Sequence, residues 1–311
     1  MGYIKMKPSV SVIICSHNPK TENIERVIDA LKAQTLSLDQ WELLLVDNAS
    51  IQPLCEKVDL NWHPNARHIS EEQLGLTPAR LCGIQSAQAD VLVFVDDDNV
   101  LYSDYLEKVL LISKQWTMLG AWGGQTIPEF EEQPPDWTKA YWGYLAIREF
   151  DQDKWSNMLH QKETTPCGAG LSVRKIVAEK YLRLVNNDSR RMNLGRKGKV
   201  ILSGEDIDLA YTSCDIGLGM GLFTSLKLTH LMPANRLKED YLLKIVEGST
   251  YSQVILESLR GLVPSKRSLS SNLLLQIRRW LMDSRSRRFH DAYFKGFNLA
   301  FKELTTLPNE P

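Results

Sequence analysis

The sequence predicts an α/β fold, a mostly parallel central sheet flanked by helices, with a helical appendage toward the C-terminus. Three observations carry that expectation. Val91-Leu92-Val93-Phe94-Val95 is a short, unbroken apolar run rich in valine, which reads as a strand buried on both faces of a parallel sheet. Val10 to Cys15, a stretch with Ile24, Val27, Ile28 and Leu31 at helical spacing, and Trp41 to Val46 follow one another as strand, helix and strand. That is a βαβ unit, whose crossover is expected to be right-handed. After Pro233 the apolar periodicity turns helical.

Composition narrows the class. With 311 residues, 43% hydrophobic and 24% charged, the chain has room for one large domain with an appendage, or for two domains. A net charge of −1 argues against general nucleic-acid binding, which favours a basic excess. The five cysteines (Cys15, Cys55, Cys82, Cys167, Cys214) are odd in number and scattered, with no CxxC spacing. They read as buried free thiols in a reducing compartment, neither a disulfide framework nor a zinc site. The first residues form no secretory signal, and no run approaches the ~20 apolar residues of a membrane span. A cytoplasmic protein is expected.

The buried strand runs directly into Asp96-Asp97-Asp98-Asn99. Ligands of such sheets bind beyond the carboxyl ends of the strands. Three adjacent carboxylates repel one another unless water or a cation offsets the cost. Hard cations such as Mg²⁺ take one or two carboxylates together with a nucleotide's phosphates. The plainer reading is a solvated acidic turn.

The other elements take their places around this one. Strand one ends in Ser16-His17-Asn18-Pro19, a loop, with Thr21 or Asn23 able to cap the following helix. Strand two ends in Asp47-Asn48, which suit either a nucleobase edge or a simple Asx turn. Arg67 to Ile69 reads as a short third strand. Thr77 is the expected cap of a helix with Pro78 in its first turn, and Arg80 is either a phosphate or carboxylate partner or a surface charge. A helix from Tyr105 to Leu111 follows the triple Asp. Trp122, Trp137, Trp142 and Trp155 fall in a stretch without clear periodicity, and suit either a sugar-lining cleft or a small packed sheet. Pro166 to Arg174 carries Gly168 and Gly170, which permit close backbone approach. Asn186 to Lys199 is polar and basic, most simply a mobile surface loop.

Ser203 is the expected cap of a helix opening Gly204-Glu205-Asp206. Its acids either compensate the helix dipole or present a general base. Gly217 to Gly221 reads as a turn, and Leu226 to His230 as a strand ending in a histidine fit for packing or for a metal. Helical spacing then covers Leu237 to Ile245, Gln253 to Leu262, Leu273 to Met282 and Phe289 to Leu304. The third of these, with Arg278, Arg279, Arg285, Arg287 and Arg288, is apolar on one side and basic on the other. It either packs on the main domain or rests on an anionic membrane, a peripheral contact through 273–288.

Six ordered motifs together resemble the family 2 glycosyltransferases of GT-A fold: Ser16-His17-Asn18, Val46-Asp47-Asn48-Ala49-Ser50, Leu74-Gly75 with Ala79-Arg80, Asp96-Asp97-Asp98, Gly204-Glu205-Asp206, and Leu228-Thr229-His230. The resemblance covers roughly residues 8–235, about three quarters of the chain, leaving 236–311 as a C-terminal helical region. It implies an inverting, metal-dependent transfer from a UDP-, GDP- or dTDP-sugar to a carbohydrate or lipid-linked acceptor. By position, Asp47 matches the acid that contacts the base, Asp96 the one facing the ribose, and Asp98 the ligand of Mg²⁺ or Mn²⁺. Asp206 matches the catalytic base and His230 a histidine facing metal or diphosphate. Ser16, Asn18, Asn48, Arg80, Asp97, Gly168 and Glu205 complete the implied donor site.

Gln276-Ile277-Arg278-Arg279-Trp280 fits the QxxRW pattern of processive, membrane-embedded members. Those members carry transmembrane helices, so the match is taken as accidental and a non-processive enzyme is expected. Two other classes compete. A metal-dependent nucleotidyltransferase favours a glycine- and arginine-rich loop after strand one, where Ser16-His17-Asn18-Pro19 stands. A non-catalytic nucleotide-sugar-binding module would be expected to lose Asp98 or Asp206, and both are present.

Overall fold

The computed structural model describes residues 7–159, 161–196, 202–262 and 276–306. Nine strands form one sheet: β1 (Val10–Ser16), β2 (Trp41–Asn48), β3 (Ala66–Glu71), β4 (Val91–Val95), β5 (Asn99–Leu101), β6 (Leu119–Phe130), β7 (Lys154–Ser156), β8 (Ser172–Arg174) and β9 (Gly219–Met232). Their order is β3-β2-β1-β4-β8-β6-β9-β5, with β7 also paired to β9. The first four are mutually parallel, β8 is antiparallel to β4 and β6, and β9 runs parallel to β6.

Side-chain alternation splits the core between the two faces of the sheet. Val12, Ile14, Val93 and Val95 face one layer, filled by Ile24, Val27, Ile28 and Leu31 of α1 (Thr21–Lys32) and by Tyr105, Leu106 and Val109 of α3 (Tyr105–Gln115). Ile13, Leu92 and Phe94 face the other, against α2 (Leu76–Ser86), α4 (Lys175–Asn186) and α6 (Glu205–Asp215). All five residues of β4 are buried, as the unbroken apolar run requires.

Several local expectations are corrected. None of the three predicted caps is used: the N-caps are Lys20, Gly75 and Gly204, none with a capping side-chain hydrogen bond. Thr21 is already helical. Gly75 has φ 146°, a left-handed-side conformation that favours glycine, so α2 starts before Thr77, whose hydroxyl is buried without a partner among the described residues. β6 and the first half of β9 were obscured by their glycines and by Pro128, whereas the strand expected over Leu226 to His230 lies within β9. The expected turn at 217–221 includes the start of a 14-residue strand. The two helices expected between Leu237 and Leu262 are largely one, α7 (Glu239–Ser258), continuous through Gly248.

The basic stretch after Asn186 is not simply a surface loop. It holds a short helix, α5 (Ser189–Met192), whose Arg191 is buried. Arg191 Nη1 donates to both oxygens of Asp208 on α6, at 2.5 and 2.7 Å. Arg260, just beyond α7, brings Nη1 to 2.8 Å from Asp208 and Nη2 to 2.9 Å from Asp215. Asp208 is fully buried, so this charge cluster ties α5 and α7 to the helix that opens with Glu205 and Asp206. Residues 197–201 of the same stretch lie outside the described residues.

α7 packs on α8 (Ser284–Thr306), where an added Cβ at Gly296 would come within 2.2 Å of the Glu247 carbonyl oxygen. Leu242, Ile245, Phe289 and Ala292 of this pair share a cluster with Leu145, Ile147 and Met232 of the main body. The helix expected over 273–282 is described only from 276, with helical residues 276–281.

Two stability effects follow. Asp208→Ala leaves the buried Arg191 without its counter-ion and should cost about 3–5 kcal/mol, read as a lower urea midpoint. A loss under about 1 kcal/mol would mean that the cluster contributes little. At Gly124, beside a bulge, an added Cβ would sit 2.1 Å from the Leu226 carbonyl oxygen in the neighbouring strand. Gly124→Ala should therefore destabilise by about 1–3 kcal/mol in the same assay.

Candidate active site

A cleft of about 280 Å³ opens at the carboxyl ends of β1, β2, β4 and β9. Its walls include Ser16, Asn48, Arg80, Asp96, Asp97, Asp98, Gly168, Glu205, Asp206 and His230, contributed by segments far apart in the chain. Strand register explains much of this. Ile14 pairs with Val95, so Ser16 stands level with Asp97 and donates its hydroxyl proton to Asp97 Oδ2. β5 reverses directly after the triple Asp and pairs Asn99 with His230, which brings Asp98 beside the end of β9.

The acids are held in different ways. Arg80, buried beneath them, donates from Nη1 to Glu205 Oε1 at 2.9 Å and lies 3.4 Å from Asp96 Oδ1 through Nη2. Burial opposes its charge, but Glu205 and Asp96 outweigh that and keep the guanidinium protonated. Burial pushes Glu205 up to about 7, with Arg80 opposing and Asp206 adding to the rise. Among the described residues Asp206 accepts from backbone only: Gly168 N–H at 2.6 Å and Ile207 N–H at 2.8 Å. A Cβ at Gly168 would stand 2.7 Å from Arg80 Nη2 and 3.2 Å from Asp206 Oδ2, so a larger residue here would push the Arg80 guanidinium from its place.

In the triple Asp, burial pushes Asp97 up to about 7, helped by the charge of Asp98 and opposed by the Ser16 hydrogen bond. Burial acts the same way on Asp98. There the hydrogen bond and charge of His230 and the charge of Arg236 prevail and hold it well below the usual range. His230 Nε2 lies 3.5 Å from Asp98 Oδ1, and Arg236 Nη1 lies 3.0 Å from Oδ2. His230 Nδ1 is buried without a hydrogen-bond partner among the described residues.

The sequence missed part of this wall. Arg236, Arg196 and Tyr144-Leu145-Ala146 all line the cleft. Arg236 follows His230 by six residues, just past a strand end, and its place there was the only signal available.

Three expected donor contacts are already engaged. Asp47 does not line the cleft; its carboxylate accepts from Ser50 N–H at 3.1 Å and Leu54 N–H at 2.8 Å, the Asx-turn alternative. Asn48 does line it, but its amide bonds the Gln73 carbonyl and the Gly75 N–H and braces the loop before α2. Asn18, at φ 49°, accepts from Ile51 N–H outside the cleft. The tryptophans also stand apart from the cleft lining. Trp122 is in the core, Trp137 and Trp142 pack beside Phe289 and Phe130, and Trp155 lies by Trp116.

Comparison with known proteins places this arrangement. The solved structure of S. aureus TarS 1-349 superposes with a TM-score of 0.52 at 11% identity, over 98% of this chain and 93% of that one. A second TarS structure gives 0.54 at 13% identity, over 88% of this chain and 43% of that one. At these identities the likeness is one of fold. In sequence, the chain is 32% identical over 104 residues to glycosyltransferase AglE of Haloferax volcanii, covering 32% of this chain and 34% of that protein. It is 33% identical over 107 residues to polypeptide N-acetylgalactosaminyltransferase 8 of Drosophila melanogaster, covering 33% of this chain and 18% of the other. The aligned region thus spans about a third or less of each relative's length. The family model described as glycosyl transferase family 2 matches residues 11–181, more than half of the chain and every strand from β1 to β8. The chain is therefore a family 2 glycosyltransferase of GT-A fold, with a C-terminal helical region.

Proposed function

We propose that this glycosyltransferase moves a sugar from a nucleotide diphosphate, UDP, GDP or dTDP, to a hydroxyl of a carbohydrate or lipid-linked acceptor, with inversion. The supporting observation is the convergence on one cleft of Asp96 and Asp98 from the end of β4 with Asp206 from the start of α6. Residues 8–235 are proposed as the catalytic domain and 236–311 as a helical buttress. Family membership favours sugar transfer over the nucleotidyltransferase and the non-catalytic module considered from sequence.

Asp206 is the proposed base. Its rival Glu205 is committed to Arg80, whereas Asp206 accepts only backbone N–H groups and keeps lone pairs for a substrate. As the acceptor oxygen attacks the anomeric carbon, its proton passes to Asp206. The bond from that carbon to the diphosphate oxygen breaks on the opposite face, and its electron pair leaves with the diphosphate. No protein nucleophile is required; the one thiol in the cleft wall, Cys15, is pushed up to about 12 by burial and stays protonated.

Asp98 and His230 are the proposed ligands of Mg²⁺ or Mn²⁺. Among the described residues no group of three or more His, Cys, Asp or Glu is placed to hold a metal. One carboxylate and one imidazole fit a hard cation that completes its shell from phosphate and water. Bound there, the ion would stabilise negative charge on the departing diphosphate. Asp96 is proposed to face the ribose, with Arg80 positioning it.

A peripheral membrane contact is proposed for the basic C-terminal segment, on the cytoplasmic side. Residues 273–275 of it lie outside the described residues. In the rest, Ile277, Trp280 and Leu281 are 49%, 77% and 72% exposed. Arg279, Arg285 and Arg288 are paired with Asp291, Glu239 and Asp240, so the apolar side chains carry more of this reading than charge does. No helix among the described residues is long and apolar enough to cross a membrane.

Two measurements test these readings. Asp206→Asn should keep UDP affinity in Mn²⁺ near normal while transfer falls roughly 10²- to 10⁴-fold, the usual worth of a general base. Near-normal turnover would move the base to Glu205 or to the acceptor-side loop. For the membrane, the protein should co-sediment with anionic vesicles and lose much of that binding in Trp280→Ala/Leu281→Ala; an unchanged bound fraction would leave these residues a different role.

A further inference from the structure

Asp98 serves one cation already. Arg236 stands on the turn Ala234–Leu237 that follows β9, with a side chain only 23% exposed. Nη1 lies 3.0 Å from Asp98 Oδ2 and 3.3 Å from His230 Nε2, so one guanidinium touches both proposed metal ligands. The other oxygen of Asp98 accepts from Asn99 Nδ2 at 3.0 Å and faces His230 at 3.5 Å. The carboxylate thus has little capacity left for a divalent ion while Arg236 remains in place.

We propose that Arg236 is an exchangeable cation: it occupies Asp98 when no metal is bound, and turns onto the donor's diphosphate when a divalent ion takes Asp98 and His230. The inference rests on the donor-site reading above. A divalent ion beside a guanidinium repels it at short range, and the mostly buried setting weakens the screening. Among the described residues the ion pair with Asp98 is the only one Arg236 makes, so a displaced guanidinium needs another anion. The diphosphate would supply it in the same cleft, and a planar fork of N–H donors suits phosphate oxygens. The exchange needs little backbone movement. Arg236 N–H donates to the Pro233 carbonyl and Leu237 next to it is buried, which leaves the flexible side chain to move.

This role makes two affinities shift in opposite directions when Arg236 is removed. Calorimetry on the full chain would measure Mn²⁺ alone, then whichever of UDP, GDP and dTDP the wild type binds in saturating Mn²⁺. In Arg236→Gln, Mn²⁺ alone should bind several-fold more tightly because a competitor has left Asp98. The nucleotide should bind about tenfold or more weakly because a charged hydrogen-bond donor is lost. Arg236→Met removes the same charge, and it decides the question by the same pair of signs if the glutamine variant fails to fold. Losses in both affinities would mark a structural role and overturn the proposal, as would no change in either or a gain in both. A wild type that binds none of the three nucleotides in Mn²⁺ overturns the donor-site reading itself, and this inference with it. A wild type that binds one of them, with variants lacking the opposed shifts, overturns the exchange alone.

Discussion

Five carboxylates, Asp96, Asp97, Asp98, Glu205 and Asp206, converge on one cleft, and their mutual repulsion is the constraint around which the site is built. The fold meets it with a different device for each group. Arg80 is sunk beneath the cleft between Glu205 and Asp96. Arg236 and His230 take Asp98. Asp97 is held by the Ser16 hydroxyl, with a pKa high enough that it need not be charged near neutrality. Asp206 is given backbone N–H donors. Among the described residues it is the acid whose hydrogen bonds come from backbone alone, and it is the proposed base.

The constraint reaches into the scaffold. Glycine at 168 leaves room for the close approach of Arg80 and Asp206. The first turn of α6 crowds Glu205, Asp206 and Asp208 together, and the helix dipole favours them there. Asp208 points away from the cleft and draws Arg191 and Arg260 into the interior. A breaking of that cluster would disturb the same helix that presents Asp206. The C-terminal helices participate as well, because Phe289 stacks on Tyr141 with centroids 3.8 Å apart, in the segment whose end, Tyr144-Leu145-Ala146, forms a cleft wall.

By itself the sequence determined the α/β class, the first parallel strands and the acids at their ends. Unbroken apolar runs and carboxylates at strand ends are local signals that need no partner to be read. It also singled out Asp98, Asp206 and His230, although Asp98 lies more than a hundred residues before the other two. Tertiary structure decided what local pattern cannot carry. Helix starts went to Lys20, Gly75 and Gly204 over better capping residues, because packing and backbone geometry outweigh a capping preference worth about 1 kcal/mol. β6 and the start of β9 formed despite their glycines because neighbouring strands on both sides satisfy their backbones. Asp47, Asn48 and Asn18 were turned to brace loops, and Arg191 went inside. Arg236 and Tyr144 entered the cleft. Whether a polar side chain is buried, and on which partner, depends on charges brought in from distant segments, and a linear pattern does not contain them.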